Sequence, residues 1–235
     1  MTLRLLRDQR ALRVGHRGAA ALAPENTIVS FETAIALGVD AVEFDVVSGN
    51  NGTLGVAHDL GSAAAPLDDT LRFLARQNVA VQVDLKTVGD ERALADALRR
   101  HDLVERTVVS SFHAPSLRAL AAEEPRVARA LTYPEDRLGI ARHRAFSLAV
   151  RGGLVAARRL LPRRIVSMVE AAEASAATLH YAVVTRAAVE ACHERRLAVW
   201  AWTVNDAAAS ASLEAWGVDA IITDDPRIFG GPLHA

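Results

Sequence analysis

The sequence predicts an α/β fold, a closed TIM-type (β/α)8 barrel that takes residues 1–235 as a single domain, and three observations carry this expectation. Eight short apolar or β-branched segments recur along the chain. Segments rich in Ala, Arg and Leu with helical period separate them, which is the pattern of repeated βα units. No Ser/Gly/Pro-rich linker divides the 235 residues, a length that one closed barrel commonly reaches.

The strands are expected near residues 13–16, 41–46, 79–85, 106–111, 126–131, 177–181, 197–202 and 218–223. Between them fall helices over 27–37, 68–77, 90–100, 114–123, 185–195 and 206–215. The first follows Pro24-Glu25-Asn26 and stops at Gly38; Asn26, Asp90 and Asn205 or Asp206 have side-chain oxygens able to cap helix N–H groups. The Ser48 to Gly55 stretch, SGNNGTLG, reads as the turn of a short hairpin, because Asn-Gly accepts positive φ. Residues 136–175 are too long for one crossover and are expected to add two or three helices, broken at Gly152-Gly153 and Pro162.

Charge separates few function classes at the level of the whole chain. Against 28 acidic side chains stand 27 basic ones, so no global field draws nucleic acid, and no nucleic-acid partner is expected. Locally the balance breaks: residues 141–164 hold seven arginines and no acid, +7 against −8 for the remainder. Such a stretch suits either a solvated helical face or weak contact with an anionic membrane surface. A lone cysteine, Cys192, permits no intrachain disulfide. The first residues lack the apolar core of a signal peptide, and no apolar run approaches the roughly 20 residues of a membrane span. A soluble, cytoplasmic protein is expected.

Chemistry gathers at the predicted strand ends. In Ala41-Val-Glu-Phe-Asp-Val46 the alternation puts Glu43 and Asp45 on one face, about 6 to 7 Å apart, and turns Val42, Phe44 and Val46 toward the helices. In Val79-Ala-Val-Gln-Val-Asp-Leu-Lys86 it puts Asp84 and Lys86 together. Either pair alone reads as strand-end acids or an ion pair. Three carboxylates together form a hard oxygen donor set that suits Mg²⁺, Ca²⁺ or Mn²⁺ better than Zn²⁺. Lys86 is also the only lysine of a chain that otherwise uses arginine.

His16 ends the first strand within Gly15-His-Arg-Gly18, where flanking glycines permit a tight turn. Arg17 offers a planar fork suited to phosphate. His58, in Val56-Ala-His-Asp59, follows the hairpin. Two imidazoles titrating near neutrality can divide acid and base work across a phosphoryl centre. His101, His113, His143, His180, His193 and His234 belong to no comparable cluster. Trp202 ends the seventh strand, where it can wall a substrate subsite with Phe112 opposite; Glu25 and Asn26 read as support for the first loop.

These elements together resemble the glycerophosphodiester phosphodiesterase family. The matching stretches are Gly15-His16-Arg17-Gly18, Pro24-Glu25-Asn26-Thr27, Gly38-Val-Asp-Ala-Val-Glu43-Phe-Asp45-Val, His58-Asp59, Asp84-Leu-Lys86, Ser111-Phe112, Trp202-Thr-Val-Asn205 and Gly217-Val-Asp-Ala-Ile-Ile-Thr-Asp224. They run in family order over nearly the whole chain. The resemblance implies a TIM barrel that hydrolyses glycerophosphodiesters, small-molecule substrates of lipid and glycerol metabolism, to glycerol 3-phosphate and an alcohol. It implies acid/base roles for His16 and His58, and a divalent metal, Mg²⁺ or Ca²⁺ with Mn²⁺ also suitable, held by Glu43, Asp45 and Asp84. It implies substrate contacts for Arg17 and Lys86. Asp84 stands where the family usually has glutamate, and the connection after His58 is shorter than in many members, a reduced insertion after the second strand. Two alternatives stand beside this reading: a lysophospholipase D or sphingomyelinase D-like phosphodiesterase, and a non-catalytic phosphodiester-binding module.

Overall fold

The computed structural model describes residues 2–49, 53–58, 65–134 and 147–230. Eight parallel strands close into a barrel: β1 (Leu12–Gly15), β2 (Ala41–Ser48), β5 (Ala80–Leu85), β6 (Thr107–Ser111), β7 (Ala128–Tyr133), β8 (Ala176–His180), β9 (Ala198–Trp202) and β10 (Ala220–Thr223). Closure joins β1 to both β10 and β2, with Gly15 beside Thr223 and Val14 beside Ala41. Two short antiparallel strands, β3 (Leu54–Val56) and β4 (Ala65–Pro66), extend the sheet beyond β2. The expected hairpin thus forms, with Gly49 N donating to Thr53 O at 2.6 Å, while Asn50, Asn51 and Gly52 lie outside the described residues.

Helices follow the strands as the alternation predicts: α1 (Ile28–Ala36), α2 (Leu67–Ala75), α3 (Glu91–Arg100), α4 (Ala114–Glu123), α5 (Ser147–Ala171), α6 (Arg186–Glu194) and α7 (Ala207–Ala215). A short 3₁₀ turn, Pro226–Phe229, follows β10. All eight strands and six of the helices lie within two residues of their predicted ends.

Residues 147–171 depart from the prediction. They form one continuous helix with Pro162 and both glycines inside it, rather than fragments broken at those positions; residues 136–146 lie outside the described residues. Pro162 removes one intrahelical hydrogen bond, a cost of about 3 kcal/mol. Burial of Leu161, Ile165 and Val169 in the layer shared with α6 and β8 offsets it. Arg158, Arg159, Arg163 and Arg164 occupy exposed positions on the same helix.

Capping also differs. Thr27, not Asn26, caps α1, accepting from Ser30 N at 3.3 Å. Asp90 precedes α3, but its carboxylate accepts from the Ser48 and Thr87 hydroxyls instead of the helix N–H groups. Asp206 caps α7 as predicted, accepting from Ala209 N at 2.7 Å.

Two apolar layers surround the sheet. Val42, Phe44 and Val46 turn outward as expected and pack with Phe31, Leu71 and Leu98. Inside, Ala41, Ala80, Ala130, Ala176, Ala198 and Ala220 form a ring of small side chains whose space Trp200, Val14 and Val108 fill. Trp200 is fully buried and donates its indole N–H to Leu5 O of the N-terminal segment at 3.2 Å. The amino end of the barrel is therefore a packed core, and its inward polar residues lie toward the carboxyl end, the face on which βα loops build sites.

Candidate active site

Seven of the eight predicted site residues line one pocket at the carboxyl end of the barrel: His16, Arg17, Glu43, His58, Asp84, Lys86 and Trp202. Phe112 lines the same pocket, with Gln82, Thr132, Thr178, Thr203 and Ile222 completing it. Asp45, fully buried, contacts three of the lining residues, Arg17, His58 and Lys86. Sheet register brings the acids together, since Asp45 pairs with Asp84 and Glu43 with Gln82 across β2 and β5.

The His16 loop depends on its glycines. A Cβ on Gly15 would lie 2.3 Å from Gly18 O, and Gly18 has φ +87° with Ser30 where a Cβ would be. The turn so formed delivers Arg17 N to Glu43 Oε2 at 2.7 Å. It also sets His16 Nε2 3.9 Å from the same carboxylate oxygen. The other ring nitrogen, Nδ1, lies 2.6 Å from Asp224 Oδ1. Asp224 is held in turn by Asn205, whose Nδ2 donates to its other oxygen at 2.5 Å. Burial disfavours the His16 cation, but Glu43 and Asp224 outweigh it and raise the pKa above the ordinary value.

Asp45 is the hub of the cations. Its Oδ1 lies 2.7 Å from Lys86 Nζ, and its Oδ2 lies 2.9 Å from Arg17 Nε and 3.3 Å from His58 Nδ1. Asn26, with φ +59°, clamps it further: its Nδ2 donates to Asp45 Oδ2 at 3.0 Å and its Oδ1 accepts from Asp45 N at 3.1 Å. Burial opposes the Asp45 charge; the His58 hydrogen bond and the Lys86 and Arg17 cations prevail and hold the carboxyl well below its usual range. Lys86 also pairs with Asp84. Burial disfavours its ammonium, yet Asp84, Asp45 and Glu43 keep it charged and raise its pKa. Arg17 reaches Glu25 Oε2 at 2.8 Å, so Glu25 supports the loop as predicted.

Glu43, Asp45 and Asp84 offer ligand atoms within 4.8 Å of one another, all three buried. The fit to a hard divalent cation rests on the charge they leave unbalanced. Burial, with Asp45 and Asp84 adding to it, pushes Glu43 up to about 7 although His16 and Lys86 pull the other way. Such a carboxyl gains from a cation. The shorter arm of Asp84 keeps it in the cluster because its strand position is directly beside Asp45.

Trp202 and Phe112 form one wall, not opposite walls. Their rings meet edge to face at 6.0 Å, and Trp202 also meets His180 edge to face at 5.4 Å. His180 thus joins the aromatic rim, and burial lowers its pKa. Among the other histidines, His193 pairs with Asp219 at 2.9 Å and His101 with Asp68 at 3.1 Å. His143 and His234 lie outside the described residues.

Several contributors were missed as site residues: Asp224, Asn205, Asn26, Gln82, Ser110, Thr132 and Thr178. Period-2 spacing was the available signal, because Gln82 lies two residues before Asp84, and Asp224 two after Ile222 on the last strand.

The model of the glycerophosphoryl diester phosphodiesterase family matches residues 16–92 and 76–228. A glycerophosphodiester phosphodiesterase of Caldanaerobacter subterraneus is 25% identical over 259 residues, covering 93% of this chain and 96% of its own. The structure of an Oleispira antarctica phosphodiesterase in complex with its product sn-glycerol-3-phosphate superposes with TM-score 0.74 at 20% identity, covering 94% of this chain and 96% of the other. A glycerophosphodiester phosphodiesterase from Parabacteroides distasonis superposes with TM-score 0.72 at 20% identity, covering 93% and 94%.

Proposed function

Because the chain belongs to the glycerophosphoryl diester phosphodiesterase family, we propose that it hydrolyses glycerophosphodiesters to glycerol 3-phosphate and an alcohol with a divalent metal, His16 and His58 sharing the proton transfers. The observation that carries this reading is the convergence of both imidazoles, two cations, Glu43 and Asp84 on one pocket, with Asp45 in the same carboxylate cluster.

Glu43, Asp45 and Asp84 would hold the metal, Mg²⁺ or Ca²⁺ with Mn²⁺ also suited. When bound it supplies Lewis-acid stabilisation of phosphate charge. Arg17 and Lys86 offset charge on the phosphate oxygens as it builds toward the transition state. Asp224 holds Nδ1 of His16 and leaves Nε2 for proton transfer on the pocket side. One imidazole takes a proton from the nucleophile, either water or a neighbouring glycerol hydroxyl whose cyclic phosphate water then opens, and the other gives one to the departing alkoxide. Trp202, with Phe112 at its edge, walls the alcohol or glycerol moiety by apolar contact.

The whole chain, residues 1–235, acts in this reading as one catalytic barrel domain with α5, Ser147–Ala171, as its added helical segment. A cytoplasmic setting is supported by the single cysteine, Cys192, which is buried and free. Among the described residues no helix is long and apolar enough to cross a membrane. Exposed Arg158, Arg159, Arg163 and Arg164 support weak contact of 141–164 with an anionic lipid surface.

Separate His16→Ala and His58→Ala variants test the assignment. Each is expected to lower glycerol 3-phosphate release by roughly 10² to 10⁴-fold, the usual contribution of general acid or base. Undiminished release by either folded variant contradicts its role.

A further inference from the structure

Below the charged groups, the pocket wall carries three polar atoms that make no hydrogen bond to any described residue: Gln82 Oε1, Thr132 Oγ1 and Thr178 Oγ1. The three residues are 2%, 7% and 2% exposed, and all line the pocket. Buried polar atoms of this kind ordinarily have partners.

The orientation of the Gln82 amide follows from its neighbours. Ser110 Oγ donates to Asp84 Oδ1 at 2.7 Å, so the Ser110 oxygen is left to accept. Gln82 Nε2 donates to it at 3.1 Å. Its Oε1 is then committed as an acceptor without a donor. Thr132 and Thr178 stand side by side in register on β7 and β8, and each hydroxyl can both donate and accept. One acceptor and two adaptable hydroxyls match an alcohol group, which offers one O–H and lone pairs. They match a phosphate or an alkyl chain poorly, because Oε1 needs a donor and none of the three carries charge.

We propose that Gln82, Thr132 and Thr178 form a hydroxyl-recognising subsite, by which the pocket selects diesters whose buried alcohol moiety carries free hydroxyls. The proposal rests on the phosphodiesterase reading above and names the residues that read the polyol. Gln82 also links the subsite to the carboxylate cluster through Ser110, so a hydroxyl seated there is registered against Asp84.

Two p-nitrophenyl phosphodiesters test it, one with glycerol as the second alcohol and one with propanol, which deletes the free hydroxyls. The wild-type protein should favour the glycerol ester in kcat/KM by roughly 10²-fold, since its loss leaves buried groups unpaired. The double variant Thr132→Val/Thr178→Val should lower that preference by about tenfold or more, through the glycerol ester alone. The double serine variant, which keeps both hydroxyls, should retain the preference. Equal wild-type rates for the two esters, as when water alone fills the floor, overturn the proposal; so does an equal fall of both esters in the valine variant. If wild-type protein cleaves neither ester, the phosphodiesterase reading fails. The subsite is then judged by thermal stabilisation with sn-glycerol 3-phosphate against propyl phosphate. A larger shift for the former, lost in Thr178→Val, supports it, and equal shifts overturn it.

Discussion

Asp224 Oδ1 lies 2.6 Å from Nδ1 of His16, joining residues 208 positions apart in the chain. The barrel makes this contact when β1 pairs with β10, because Gly15 and Thr223 are in register and His16 and Asp224 are their successors. A carboxylate on Nδ1 fixes the tautomer and stabilises the imidazolium that forms during proton transfer. Asp224→Asn preserves shape but removes that charge. We expect kcat to fall by roughly 10²-fold or more, with KM changed far less. A variant with wild-type kcat would reduce Asp224 to a packing role.

Lys86 makes contacts that arginine cannot copy. Its compact ammonium lies between Asp45 and Asp84 in a crowded site. A guanidinium keeps the charge but needs more room and a planar fork. Lys86→Arg is expected to lower turnover by at least about tenfold while leaving the fold intact, read by steady-state kinetics beside a melting curve. Unaltered kinetics would return Lys86 to general charge balance.

The metal-free protein should respond to pH through Glu43. Burial raises this carboxyl from about 4.5 to about 7, so between those values the folded chain keeps a proton that the unfolded chain has lost. Stability therefore falls as pH rises through that window. His16, raised against its burial by Glu43 and Asp224, acts in the same direction. A divalent cation competes with the Glu43 proton. The gain in Tm on adding Mg²⁺, Ca²⁺ or Mn²⁺ should thus be small near pH 5 and grow to a plateau above about 7, and Glu43→Gln should flatten it. A gain that shrinks with rising pH would contradict this assignment.

Cys192 is fully buried on α6, and burial, with Asp219 nearby, pushes its thiol up to about 12. Iodoacetamide at pH 8 should leave the native protein unlabelled and label one site after denaturation. Mass spectrometry distinguishes the outcomes, and rapid native labelling would show that α6 opens readily.

Where the sequence was legible, physics was local. Alternation marked β2 and β5 together with their outward apolar faces, and the hard donor set of Glu43, Asp45 and Asp84 followed from the same period. Asn26 was misread because its residue type suits a cap; tertiary contact with Asp45 gives it a different task and leaves Thr27 to cap α1. Pro162 was misread as a break because its local cost is plain in sequence, whereas the burial of Leu161 and Ile165 that offsets it depends on the assembled layer. Asp224 and the Gln82, Thr132 and Thr178 set come from distant strands. Only closure and register bring them to one pocket.

The central claim is metal-dependent release of glycerol 3-phosphate, and one assay addresses it directly. Chelator-stripped protein is supplied in turn with Mg²⁺, Ca²⁺ and Mn²⁺ and given glycerophosphocholine, glycerophosphoethanolamine and lysophosphatidylcholine. We expect glycerol 3-phosphate from the first two substrates only when a metal is restored, with little turnover of the third. Full activity after chelation would contradict the metal site. Saturable binding without turnover under every metal would contradict the enzyme and favour a phosphodiester-binding module.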